Sequence, residues 1–289
     1  MPDYKHLTTM IEVKNIAFSY DAKPFDNLSF KSRKMVLDNL CLMFKEGNIY
    51  GLLGKNGVGK STLLYIMNGL IDPTYGYVYI DGDNIAERNP FSLSKIFLVP
   101  EEFELPPMTL KRYINHNRAL YPNFSMEILE NCLREFELSD TNKLSELSMG
   151  TKKKGYMSFA LASNAKYLLM DEPTNGLDIP SKQQFRKVVA QNMTEDRTLI
   201  ISTHQVHDLE QLLDHIIILG ERQVLIDKPI VDITKDYVFE YRPSNQMDDV
   251  IYSEPNYQGN AIIAPRKNSD AETPVNIELL FNAVNNRKL

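Results

Sequence analysis

One stretch constrains this chain more than any other: Gly54-Lys55-Asn56-Gly57-Val58-Gly59-Lys60-Ser61-Thr62. It matches G-x-x-x-x-G-K-[ST], a pattern that works only between a strand and a helix. The apolar run 49–53 supplies the strand, and residues 60–70 read as the helix. Glycines let the backbone curl so that successive N–H groups converge on an anion. The helix N-terminus adds partial positive charge at the same point. All nine residues are therefore candidates for binding nucleotide phosphates, with Lys60 reaching the β- and γ-phosphates and the Ser61 hydroxyl available to Mg²⁺. The glycine spacing is not the G-x-G-x-x-G of dinucleotide-binding folds.

The rest of the chain fits an α/β protein. Residues 10–18, 36–44, 77–80 and 96–99 read as strands, and 110–121, 126–136 and 149–165 as helices. Beyond them, strands at 167–170, 198–201 and 215–219 alternate with helices at about 181–191 and 206–213. That alternation implies a mainly parallel sheet covered on both faces. Residues 1–9 read as a loose tail and 21–35 as a polar loop. Past about residue 235, Tyr, Pro, Asn and Ser become frequent, short strands are expected near 251–252 and 261–263, and 275–284 reads as an amphipathic helix. We divide the chain into residues 10–235 and a small C-terminal region, 236–289. A tail packed on the main domain is the alternative for the latter.

A second signal follows the helix at 149–165. Tyr167-Leu168-Leu169-Met170 is a buried-type strand that ends in Asp171-Glu172-Pro173. Ligands of parallel sheets bind at the C-terminal ends of the strands. Asp171 there suits Mg²⁺, and Glu172 suits the orientation and polarisation of an attacking water.

With these residues in place, the chain from about Met10 to Ile226 resembles the nucleotide-binding domain of ABC transporters. Leu147-Ser148-Met149-Gly150-Thr151 resembles the family's Leu-Ser-Gly-Gly-Gln signature, and Ser148 is a natural cap for the helix that starts there. Thr174-Asn175-Gly176-Leu177-Asp178 resembles the D-loop, and Ser202-Thr203-His204 the switch histidine segment. Tyr20 resembles the aromatic that stacks on adenine, with Phe30 as its competitor. The resemblance implies a P-loop NTPase fold of the ABC type: a mainly parallel sheet core, an antiparallel β subdomain and a helical subdomain inserted at about 102–165. It also implies ATP and Mg²⁺ as ligands and catalysis by Lys60, Glu172 and His204. Two such domains would pair head to tail, so that Ser148 and Gly150 of one contact the γ-phosphate held by the other.

The chain departs from the family pattern in three places. Met149 and Thr151 replace a Gly and the Gln of the signature. Lys152, Lys153 and Lys154 follow, a run that reads as a solvated face, with one Lys able to approach the phosphates or the run offsetting Glu101 from the opposite subunit as alternatives. Glu101 stands where the family has a Gln that touches Mg²⁺. We expect Glu101 to be a metal-side ligand, the alternative being a surface acid displaced by a register shift.

The bulk numbers narrow the partners. Lys plus Arg is 32 and Asp plus Glu 38, a formal charge of −6, so no nucleic acid is expected. Cys41 and Cys132 form no disulfide framework and read as small buried thiols of a reducing cytosol. No apolar run approaches the ~20 residues of a membrane helix. The expectation is a cytoplasmic subunit, peripheral on the membrane's cytoplasmic face through a separate permease, paired with a second ABC subunit as a homodimer or a heterodimer. A ribosome- or nucleic-acid-remodelling ABC protein is the competing reading. A P-loop kinase is a third, and it leaves Leu147–Thr151 and His204 unexplained.

Overall fold

The computed structural model describes residues 10–21, 34–257, 259–267 and 273–289. The N-terminal tail, most of the 21–35 loop and Phe30 lie outside the described residues. The strands run β1 Met10–Phe18, β2 Leu37–Lys45, β3 Ile49–Gly54, β4 Tyr75–Ile80, β5 Asp83–Asn84, β6 Ile96–Val99, β7 Tyr167–Asp171, β8 Thr198–Thr203, β9 His215–Leu219, β10 Val224–Pro229, β11 Tyr237–Arg242, β12 Tyr252–Asn256 and β13 Gly259–Pro265. The α-helices are α1 Lys60–Met67, α2 Pro90–Leu93, α3 Leu110–Asn117, α4 Met126–Glu135, α5 Met149–Ala162, α6 Ile179–Asn192, α7 Ile230–Asp236 and α8 Ile277–Asn285.

Six strands form the central sheet in the order β10-β9-β3-β8-β7-β6. β9, β3, β8, β7 and β6 are parallel, and β10 pairs antiparallel at the edge. Because side chains alternate across a strand, each face has its own core. Tyr50, Leu52, Leu98, Leu169, Ile200 and Ile217 pack on one side with α1 and the antiparallel sheet β2-β1-β4-β5. Leu53, Phe97, Val99, Leu168, Met170 and Ile201 pack on the other with α3 to α6. The parallel core, the antiparallel sheet and the helical insertion agree with the α/β fold class expected from the sequence. No helix among the described residues is long and apolar enough to cross a membrane.

Asp81, after β4, ties the two sheets together. Its carboxylate accepts from Tyr167 Oη, Lys95 Nζ at 2.9 Å and Lys166 Nζ at 3.1 Å. Burial alone would push this carboxyl up, but those three donors outweigh it and hold the pKa below the usual carboxylate range. A depressed folded pKa stabilises above the unfolded value and is lost as pH falls through the folded one. Asp81→Ala should therefore cost about 2–4 kcal/mol at pH 7, because it strands two lysines and a buried hydroxyl. The gap from wild type in urea unfolding should narrow below about pH 4.

Three expectations need correction. The helix expected at 206–213 is a single 3₁₀ turn, Val206–Asp208. Its apolar spacing is met by turns instead, since Leu209 and Leu213 are buried in the core that also holds Ile277 and Leu280 of α8. Glu210 accepts from the backbone N–H of Ile277 at 3.0 Å. Cys41 is exposed, because β2 alternates and residue 41 falls on its outer pleat; only Cys132 is buried. β10 and β11 have no counterpart among the expected strands. In the C-terminal region, β11-β13-β12 form an antiparallel sheet; Phe239, Ile263 and Leu280 join the main core, and Val238, Ile262 and Ala264 form a small cluster of their own.

Candidate functional site

Strand order assembles the site. Along one edge, the C-terminal ends of β3, β8, β7 and β6 lie side by side. They deliver in turn the phosphate-type loop, Ser202-Thr203-His204, Asp171-Glu172 and Glu101. The pairings Leu53↔Thr203, Asp171↔Ser202 and Val99↔Met170 set these segments at one level.

The loop turns into α1 at Gly59, whose φ of 107° belongs to the left-handed region that side chains resist. A Cβ there would also lie 2.7 Å from Leu37 Cδ2. With no side chain at Gly59 to cap α1, its first N–H groups are free for an anion. Lys60 is buried; its ammonium donates to Gly54 O at 2.9 Å and lies 3.9 Å from Glu172 Oε1. Burial lowers its pKa, opposed by Glu172, then Asp171 and Glu101.

Glu172 is buried and takes φ 45°, a strained setting for a side chain other than Gly, Asn or Asp. Its carboxylate Oε1 meets His204 Nδ1 at 2.7 Å. Asp171 Oδ1 accepts from the Ser202 hydroxyl, while Oδ2 is buried without a hydrogen-bond partner. A buried carboxylate oxygen left bare is costly unless a cation serves it. Ser61, Asp171 and Glu101 offer only oxygen donors, which suits Mg²⁺ held by one or two protein groups and phosphates. The residues present thus fit that ion. Glu101 Oε1 accepts from Asn175 Nδ2 at 2.7 Å.

Ser148 caps α5 as its position suggested: its Oγ accepts from Thr151 N at 3.2 Å. Gly150 packs so closely on the 174–178 turn that a Cβ would meet Gly176 O at 3.2 Å. Among the described residues, no hydrogen bond joins either of them to 54–62. Tyr20 is 67% exposed. Its hydroxyl bonds Thr62 Oγ1 at 2.9 Å and its ring stacks edge-on against Phe18, which leaves a face open to solvent.

Sequence reading missed one member of the site. Lys153 is 2% exposed and points into its own subunit, not into solvent or across to a partner. The helical period carried the signal, because 153, 157 and 160 share a face and Met157 and Ala160 are core.

A family model described as ABC transporter matches residues 37–175. The bacitracin transport ATP-binding protein BcrA of Bacillus licheniformis is 30% identical over 238 residues, covering 79% of this chain and 76% of that protein. The ABC transporter ATP-binding protein YtrB of Bacillus subtilis (strain 168) is 25% identical over 230 residues, covering 79% and 75%. Among solved structures, an ATP-binding subunit of an ABC transporter superposes with a TM-score of 0.68 at 25% identity, covering 78% of this chain and 92% of that one. A dimeric ATP-binding cassette in a post-hydrolysis state, bound to ADP and Pi, superposes at 0.65 with 26% identity, covering 76% and 98%. By this identity and coverage, the chain belongs to the family of ABC transporter ATP-binding proteins.

Proposed function

We propose that this chain is the ATP-hydrolysing subunit of a transporter and powers a separate membrane permease. The observation that supports it most is the meeting of Lys60, Asp171, Glu172 and His204 at one end of the sheet, around a bare Asp171 oxygen. In this reading residues 54–62 cradle the phosphates and Tyr20 stacks on the base. Glu172, held by His204, orients and polarises the attacking water. Ser61 and Asp171, with Glu101 beside them, would hold Mg²⁺, which would supply charge neutralisation at the phosphates. Ser148 and Gly150 complete the site of a second ATP-binding subunit, so hydrolysis requires two chains.

Residues 10–235 form the nucleotide-binding unit, 102–165 its helical insertion and 236–289 an accessory region. The reading puts the subunit on the cytoplasmic face of the membrane, held there by the permease. The relatives carry names that refer to lantibiotic, bacitracin and methionine transport, and this chain is assigned none of those cargoes.

The test is Mg²⁺-dependent ATP hydrolysis by the purified chain, with co-purification of a multi-span membrane protein from the source cell. Lys60→Ala should weaken ATP binding by about 10- to 100-fold through loss of charge-assisted bonds to phosphate, read by calorimetric titration. Wild-type affinity in that variant, or co-purification of ribosomes in place of a membrane protein, would contradict the reading.

A further inference from the structure

The run Lys152-Lys153-Lys154 splits on folding. Lys154 Nζ donates to Gln184 Oε1 at 3.1 Å, on the flank of α6. Lys153 goes inward, and its Nζ donates to the backbone carbonyls of Glu172 and Asn175, each at 3.0 Å. The Asn175 side chain donates in turn to Glu101 Oε1 at 2.7 Å. A line of bonds thus runs from α5, through the turn after β7, to the loop after β6.

The charges around this line are unbalanced. Asp171 and Glu172 are buried at the site, Glu101 is half-buried beside them, and Lys60 is the buried cation of the phosphate loop, Lys55 being exposed. An ammonium buried like that of Lys153 is costly unless it is bonded and set near opposite charge. Its carbonyl acceptors satisfy donors without cancelling its charge, which stays available to nearby carboxylates. Burial lowers its pKa, and the carboxylate that opposes this most is Glu101, ahead of Glu172 and Asp171.

We propose that Lys153 is a positioning residue that makes a carboxylate at 101 compatible with ATP: its charge offsets Glu101 within the same subunit, and its bonds hold the 172–175 turn that presents Glu172. The proposal rests on the reading that this site binds ATP. It gives a reason for an acid at 101 and a buried lysine behind it occurring in one chain.

Four proteins test it: wild type, Lys153→Gln, Glu101→Gln and the double variant. Glutamine keeps a donor for the two carbonyls but removes the charge. ATP affinity is measured without Mg²⁺, and melting temperature without nucleotide. Lys153→Gln should weaken ATP binding by about tenfold when Glu101 is present and by less than about twofold in the Glu101→Gln background. The drop in melting temperature should likewise be several degrees with Glu101 and much smaller without it. Equal losses in both backgrounds, or none in either, would make Lys153 a simple brace and overturn the proposal.

If Lys153→Gln does not fold, Glu101→Lys against Glu101→Gln decides the matter. A second cation near Lys153 should melt at least about 4 °C lower, and equal melting would overturn the proposal. Should wild type bind no ATP, the reading of the site fails, while the nucleotide-free melting series still reports whether 101 and 153 are coupled.

Discussion

Glu172→Gln should lower ATP turnover by about a hundredfold or more while leaving ATP affinity within a few-fold of wild type. Glutamine has the shape of glutamate and keeps an oxygen for His204, so the φ 45° turn and the neighbouring Asp171 should survive the change. What disappears is a charge able to polarise water, at a residue that lies 3.9 Å from the Lys60 ammonium. Binding should not suffer, because removing a negative charge near phosphates relieves repulsion. Single-turnover hydrolysis and calorimetric titration on the same preparation separate the two effects. Undiminished turnover would remove Glu172 from the role assigned to it and leave its strained backbone without an explanation.

Ser148→Arg should abolish ATP-driven dimerisation and reduce hydrolysis by about a hundredfold, while a single chain still binds ATP. Ser148 is exposed at the start of α5 and makes no bond to its own phosphate loop. In the proposed reading its helix end serves phosphate held by another subunit. Arginine there removes the cap, at a cost of about 1 kcal/mol, and puts a long side chain where the second subunit must close. Light scattering of Ser148→Arg in the Glu172→Gln background, with ATP, is the measurement. A dimer as stable as that of Glu172→Gln alone would mean that the site is not shared between chains. A milder Ser148→Ala change should lose the cap but keep the space, and so should fall between the two.

Much of the candidate site's arrangement is legible in the sequence because its motifs are local. The loop at 54–62 needs glycines at set offsets after a strand, and a strand ending in Asp171-Glu172 must present both at the sheet's edge. Ser148 could be placed as a cap from its position before an apolar helical run, and its bond to Thr151 N is local too. Each of these depends on a few neighbouring residues, so a sequence pattern carries the whole of the physical requirement.

The failures share a different cause. Residues 206–213 carry helical spacing, yet they fold as turns because α8, some 70 residues later, takes their apolar side chains. The strand Val224–Pro229 has little burial alternation of its own and exists because β9 offers it an edge. Residue type alone suggests an interior Cys41, but the pleat of β2 turns it outward. Charge misled most at Lys152-Lys153-Lys154, where like residues have different fates.

What the sequence by itself determined is the chemistry on offer: a phosphate-binding loop, two carboxylates at a strand end, a capped helix and a histidine after a strand. Each is set by local sterics and by hydrogen bonding along a few residues. Only the tertiary structure decided how these meet. The order β3-β8-β7-β6 puts His204 within 2.7 Å of Glu172 across 32 positions, and turns Lys153 inward to the carbonyls of Glu172 and Asn175. Such pairings depend on which strand lies next to which, and on where a buried charge finds acceptors, and those are properties of the whole core rather than of any segment of the chain.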